Sequence, residues 1–187
     1  VDTKPAPREI TVPEAKPAFE WILGRAVQKV SPRRRHSLLQ AALLARVGAW
    51  AEGRGEVGPE WRFRLEPPGE DLRPLVPDVA YVSYAREADY SDDDLEAPRF
   101  APDVAFEIRS PLDRQERIDH KIGVYLACGT QAVIIVDPYL RRIEAHDAAG
   151  TTTFSDNDRF AHPAMPGLTF TLDDLFAILE RPRPLSS

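Results

Sequence analysis

The spacing of apolar positions changes several times along the chain, and each change marks an element. Phe19 to Leu23 and Ala26 to Val30 flank Gly24-Arg25, a two-residue link with glycine first, which predicts a hairpin closed by a type II′ turn. After Ser31 as cap and Pro32 as first helical residue, Leu38, Leu39, Ala42, Leu43, Ala45, Ala49 and Trp50 recur with helical spacing up to Gly53. From Glu60 to Glu66 the period drops to two, with Trp61, Phe63 and Leu65 alternating against Arg62 and Arg64, as in a strand with one buried face. Val76 to Tyr84 is a second strand, with Asp78, Ala80, Val82 and Tyr84 on one face, and Pro102 to Arg109 a third, mostly apolar but with Glu107 inside it. Ser110-Pro111-Leu112-Asp113 matches a capping box with proline at the first helical position, so a helix is expected at once, running to about Ala127 with Gly129 beyond its end. Ala132 to Val136 is wholly apolar, which after strand and helix indicates a buried strand parallel to the one before, a βαβ unit. Arg142 to His146 and Thr151 to Phe154 form a hairpin around Asp147 to Gly150, Leu168 to Leu172 is a last strand, and Asp173 to Glu180 a short closing helix. The series predicts an α/β fold, an α+β mixed sheet with a core of helix, three strands, helix and strand, and an added N-terminal hairpin.

Composition sets the frame around this core. With 187 residues, 43% of them apolar, the chain suits one domain over 18–180, whose core needs no disulfide or structural metal. Residues 1–17, with Pro5, Pro7, Pro13 and Pro17, read as a mobile or extended arm, and 181–187 as a frayed tail. The single cysteine, Cys128, reads as a packed thiol and not a nucleophile, and fits a reducing, cytoplasmic setting. No apolar run approaches a membrane span, and Val1-Asp2-Thr3-Lys4 lacks the layout of a signal peptide, so a protein neither inserted nor exported is expected.

Net charge is −6, which argues against coating nucleic acid by charge alone. The average hides a gradient, because residues 1–75 carry 13 Lys/Arg against 10 Asp/Glu and residues 76–187 carry 11 against 20. Arg33-Arg34-Arg35-His36 is the tightest basic cluster, a solvated helix start or a phosphate contact. Glu87 to Arg99, with Asp92-Asp93-Asp94 and Glu96, lacks the glycine and closing glutamate of a calcium loop and reads as a solvated acidic loop.

Candidate chemistry lies in Asp78, Glu107 and Lys121. A carboxylate inside an apolar strand costs several kcal/mol if charged and unpaired, so Glu107 calls for a cation, a metal or a proton. Strands lie about 4.8 Å apart, which brings Asp78 near enough to share a divalent ion with it, whereas Asp103, four residues away on the same strand, is about 13 Å distant. Lys121 borders the apolar stripe of Ile118, Ile122, Tyr125 and Leu126 on the following helix and can reach inward. Arg109 shares a strand face with Glu107 and offers a second positive group. A structural ion-pair cluster is the competing reading of the same residues.

Pro77-Asp78, the run Pro102 to Pro111, Lys121, Tyr125, Gly129 and Val136-Asp137-Pro138 together resemble the Uma2 family, the domain of unknown function DUF820, whose members are assigned as endonucleases. Phe19 to Gly24, His36, Pro166-Gly167-Leu168 and Leu175-Phe176 extend the likeness over about residues 18–180. The resemblance implies a restriction-endonuclease-like fold of the PD-(D/E)XK kind, with Asp78 and Glu107 ligating Mg²⁺ or Mn²⁺. The parent pattern has lysine two residues after the second acid. Here Arg109 stands in that place, and the resemblance implies that the lysine has moved to the following helix, at Lys121. Glu20 and His36 would extend the site as a base or as partners of the metal ligands, although Glu20 also reads as a strand-surface glutamate and His36 as a helix-start residue. The expected activity is Mg²⁺-dependent hydrolysis of DNA phosphodiesters by a homodimer. The alternative is a catalytically inactive module that kept the fold for self-association or partner binding.

Overall fold

The protein is described by a computed structural model over residues 7–180. In chain order its elements are β1 (Phe19–Ile22), β2 (Arg25–Gln28), α1 (Arg34–Ala51), β3 (Gly55–Pro59), β4 (Phe63–Leu65), β5 (Arg73–Leu75), β6 (Val79–Ser83) and the single turns α2 (Tyr84–Glu87) and α3 (Asp92–Leu95). There follow β7 (Val104–Ile108), α4 (Gln115–Ala127), β8 (Ala132–Asp137), β9 (Arg142–Asp147), β10 (Gly150–Ser155), β11 (Arg159–Phe160), β12 (Phe170–Thr171) and α5 (Leu172–Phe176), which ends in a 3₁₀ turn.

Six strands build the main sheet in the order β10-β9-β8-β7-β6-β3, antiparallel throughout except at β7–β8, where the expected βαβ unit lies. Alternation along these strands divides the core in two. Val79, Tyr81, Val104, Phe106, Ile134 and Val136 pack with Leu39, Leu43 and Val47 of α1 and with the C-terminal elements. Ala80, Val82, Ala105, Val133 and Ile135 face Ile122 and Tyr125 of α4, together with Ile22, Phe63, Leu65 and Leu75. Asp78 and Glu107 continue this second series at the end of β6 and β7, so the fold itself turns both acids toward α4.

Several expected boundaries move. Ile22 pairs with Arg25, so the hairpin loop is Leu23-Gly24, and φ values of 50° and 75° make it type I′ in place of II′. Its ladder extends to Lys29 N–H, which donates to Ala18 O at 2.9 Å, and α1 begins only at Arg34, without a side-chain cap, instead of at Pro32. The strand expected over 60–66 is not in the main sheet. Its ordered part, β4, pairs with β5 in a separate ribbon, and β3 takes the place beside β6. Glycine and proline hide β3 in the sequence, yet Gly55 is what permits the pairing, because a Cβ there would lie 2.1 Å from Val82 O.

Ser110 to Asp113 also departs from expectation. Asp113 N–H donates to Ser110 O at 3.1 Å and Asp113 Oδ2 accepts from Ser110 N–H at 2.7 Å, so the box closes on itself as a turn, and α4 starts at Gln115. In the acidic loop Ser91 and Asp94 form a true capping box at α3. Of the arm, Arg8 and Ile10 bond to Leu72 in a parallel bridge, while the tail expected over 181–187 lies outside the described residues. No helix among the described residues is long and apolar enough to cross a membrane.

Candidate active site

Val79 pairs with Phe106 and Ala80 with Ala105, so one further step in register sets Asp78 against Glu107. Asp78 N–H still donates to Phe106 O at 3.0 Å, which fixes the strand end on which its side chain sits. The Asp78 carboxylate is buried and fully engaged. Oδ1 accepts from Lys29 Nζ at 2.7 Å, and Oδ2 accepts from Ile108 N–H at 2.7 Å and lies 3.1 Å from His36 Nε2. Gln40 Nε2 on α1 donates to Asp78 O at 2.8 Å.

Glu107 has a different neighbour set. Its Oε1 lies 2.6 Å from Lys121 Nζ and accepts from the Tyr125 hydroxyl at 3.3 Å, both from α4. Lys121 also reaches Glu20 Oε1 at 2.8 Å, and that oxygen accepts Val76 N–H at 2.8 Å. On the other side of the same peptide segment Val76 O accepts Lys29 Nζ at 2.9 Å, and Glu60 Oε1 lies 3.1 Å from it. Two acid–lysine–acid chains, Glu60–Lys29–Asp78 and Glu20–Lys121–Glu107, therefore meet across the main chain of Val76.

These charges perturb one another. Burial works to raise the Asp78 carboxyl, but Lys29 and His36 hold it far below the usual range. Burial raises Glu107, with Asp78 and Glu20 adding to it against the pull of Lys121, and the carboxyl is pushed up to about 8. Burial opposes the charge of Lys121, yet Glu107 and Glu20 outweigh it and hold the ammonium at about 12. Glu107 is thus the acid in the cluster whose charge is least compensated.

Of the residues singled out in the sequence, Asp78, Glu107, Lys121, Glu20 and His36 come together in one cavity. Glu20 is 4% exposed, which removes its reading as a strand-surface residue. Two others do not bond to this cluster. Arg109 lines the cavity but turns to Gln115 and to Asp137 Oδ2, 3.7 Å away, and not to Glu107. Asp103 lies at the other end of β7, where it accepts Ser83 N–H at 2.7 Å, Arg86 Nε at 2.9 Å and Gln131 Nε2 at 2.7 Å, a buried structural latch. Cys128 is half-buried, and burial pushes its thiol up to about 11, as a packed thiol requires.

Lys29 and Glu60 are additions that sequence reasoning missed. The signal was present for Lys29, which has the parity of the partly buried Val27 on the hairpin and so points inward. Glu60 carried none, since it follows a strand that was itself unseen. The tyrosine of the α4 stripe is likewise more than apolar filling, because its hydroxyl reaches Glu107.

Hard oxygen donors of this kind suit Mg²⁺, which is commonly held by one or two carboxylates and completed by waters and substrate phosphates. Among the described residues no group of three or more acids, histidines or cysteines is placed to hold a metal ion, so an ion here would rest on two carboxylates completed by waters and phosphate. His36 turns Nε2 to Asp78, while its Nδ1 is buried without a hydrogen-bond partner among the described residues. The donor types fit, with Lys29 standing on the Oδ1 side of Asp78.

The family model described as "Uma2: Putative restriction endonuclease" matches residues 8–173. The chain belongs to the Uma2 family. A crystal structure of "a putative nuclease belonging to DUF820 from Anabaena variabilis ATCC 29413" is 24% identical, with a TM-score of 0.80 over 90% of this chain and 94% of that one. The two share the fold, a mixed sheet of the restriction-endonuclease-like kind. A search of curated proteins gives no match. The expected Uma2 membership and fold class are thus borne out.

Proposed function

We propose that this Uma2 chain is an endonuclease that hydrolyses DNA phosphodiesters with Mg²⁺ or Mn²⁺ held by Asp78 and Glu107. The observation that carries the reading is the placement of these two acids on neighbouring strand ends, Asp78 buried and Glu107 largely so, in a cavity that Lys29, Arg33, Arg109, Arg117 and Lys121 also line. A bound divalent ion would lower the pKa of a water and offset charge on the phosphoryl oxygens. Asp78 and Glu107 fix where that charge sits. Lys121, held by Glu20 and Glu107, is positioned to stabilise negative charge that grows on phosphorus-bound oxygens, and Tyr125 keeps Glu107 from rotating away. His36 lines the same cavity and its Nε2 lies 3.1 Å from Asp78 Oδ2, so it orients that carboxylate.

The mouth of the cavity supports a polyanionic substrate. Arg33, Arg109 and Arg117 line it, and Arg35 stacks over the Tyr139 ring at 5.5 Å while bonding Pro138 O at 3.3 Å. Cutting both strands of a duplex with one site per chain calls for two copies, so a homodimer belongs to the proposal.

The test is Mn²⁺ calorimetry on the wild type and on Asp78→Ala, Glu107→Ala and Lys121→Ala. About one ion per chain is expected, lost by tenfold or more in either acid variant and kept in the lysine variant. Binding that survives in both acid variants contradicts the site. A wild type that binds no ion favours the non-catalytic module, a reading supported by the lysine partner that each acid already has.

A further inference from the structure

We propose that the Lys29 ammonium is a resident counter-ion of Asp78 that a divalent ion must displace, and that Glu60 receives it when the ion arrives. This rests on Asp78 and Glu107 being the ion ligands. Lys29 Nζ sits among Asp78 Oδ1 at 2.7 Å, Val76 O at 2.9 Å and Glu60 Oε1 at 3.1 Å, three oxygens arranged around a positive charge. The other oxygen of Asp78 is occupied by Ile108 N–H and His36, so Oδ1 is the one an ion can win. A divalent ion bonds such an oxygen at about 2.0–2.1 Å, and a lysine ammonium on the same atom opposes it by like-charge repulsion.

Lys29, and not Lys121, is built to move. Lys121 lies between two buried acids, with its side chain 9% exposed, and leaving would strand both. Lys29 keeps a partner after leaving Asp78, because the Glu60 side chain is 44% exposed and borders a second concavity that also contains Gln40 and Asp78. The Lys29 backbone is fixed by its bond to Ala18 O, so only the four-carbon stem has to turn. The charge removed from Asp78 then remains next to it, paired with Glu60.

The experiment measures Mn²⁺ binding by calorimetry, and melting in EDTA and in Mn²⁺, for the wild type, Lys29→Gln, Lys29→Ala, Lys29→Arg and Asp78→Asn. The two neutral lysine variants provide a pair in case one fails to fold. Both are expected to bind Mn²⁺ about tenfold tighter or more, to melt lower than the wild type in EDTA, and to recover that loss in Mn²⁺. Lys29→Arg, which keeps the charge, should bind no tighter than the wild type. Ion binding that is equal or weaker in the neutral variants, with Asp78→Asn still abolishing it, overturns the displacement and leaves the ligand assignment standing. Absence of binding in every protein overturns both.

Discussion

At the residue scale, the chemistry follows from how few positive charges are shared among how many buried acids. Glu107 has an ordinary value of 4.5 and is pushed up to about 8, so the folded state holds its proton more tightly than the unfolded chain does. The sign is unfavourable for a rise in pH. Between about pH 4.5 and 8 the ion-free protein should lose stability, by on the order of a few kcal/mol, because the unfolded chain ionises Glu107 there while the folded protein still holds its proton. Asp78 acts in the opposite sense, since its carboxyl is lowered and its contribution is lost only as pH falls below 3.8. Urea unfolding of wild type and Glu107→Gln in EDTA at pH 5 and pH 8 checks this. The variant is expected to gain on the wild type at pH 8, and equal differences at both pH values would contradict the assignment. Asp78, Glu107 and Lys121 were legible in the sequence because a charge within or beside an apolar pattern is conspicuous. Lys29 was missed although its parity with Val27 pointed inward, since it lies just beyond the four-residue β2 and beside no carboxylate in the sequence.

At the scale of elements, turns and strand edges escaped the sequence more than the buried strands did. β7 and β8 are almost wholly apolar and could hardly be other than central, and their parallel pairing through α4 followed. β3 was hidden because Gly-Glu-Val-Gly-Pro has the composition of a loop, while tertiary pairing with β6 made it a strand. Its dependence on Gly55 is testable. Gly55→Ala puts a Cβ 2.1 Å from Val82 O and 2.7 Å from Ser83 Cα, backbone atoms that cannot swing aside as a side-chain end would, and 2.8 Å from the Tyr81 ring. A loss of about 1–3 kcal/mol in urea denaturation is expected. A change within ~0.5 kcal/mol would show that β3 tolerates a shift, and with it Glu60 at its end. The Ser110–Asp113 turn was misread for a related reason, because a capping box and a closed Ser/Asp turn use the same side chains.

At the scale of the molecule, a net charge of −6 and the proposed nucleic-acid substrate are reconciled by where the charges lie. Arg33 of the cluster that was ambiguous in the sequence lines the cavity with Arg109 and Arg117, which lie more than seventy residues away in the chain, and Arg35 stacks on Tyr139 at its edge. Only folding brings these arginines together. Replacing Arg33 and Arg117 together by Gln should weaken DNA binding at low salt and flatten its salt dependence by about two counterions, with Mn²⁺ affinity unchanged. Fluorescence anisotropy with a labelled duplex across a salt series measures this. An unchanged slope would move the DNA path to another face.

The most direct measurement of the central claim is the cleavage of supercoiled plasmid by the purified wild type, Asp78→Ala and Glu107→Ala, in Mg²⁺ or Mn²⁺ and in EDTA. Cleavage is expected in the wild type with either ion, reduced to background by EDTA and by at least about a hundredfold in both variants. Cleavage that persists in the variants, or no cleavage in a wild type that binds the ion, would contradict a nuclease centre at Asp78 and Glu107.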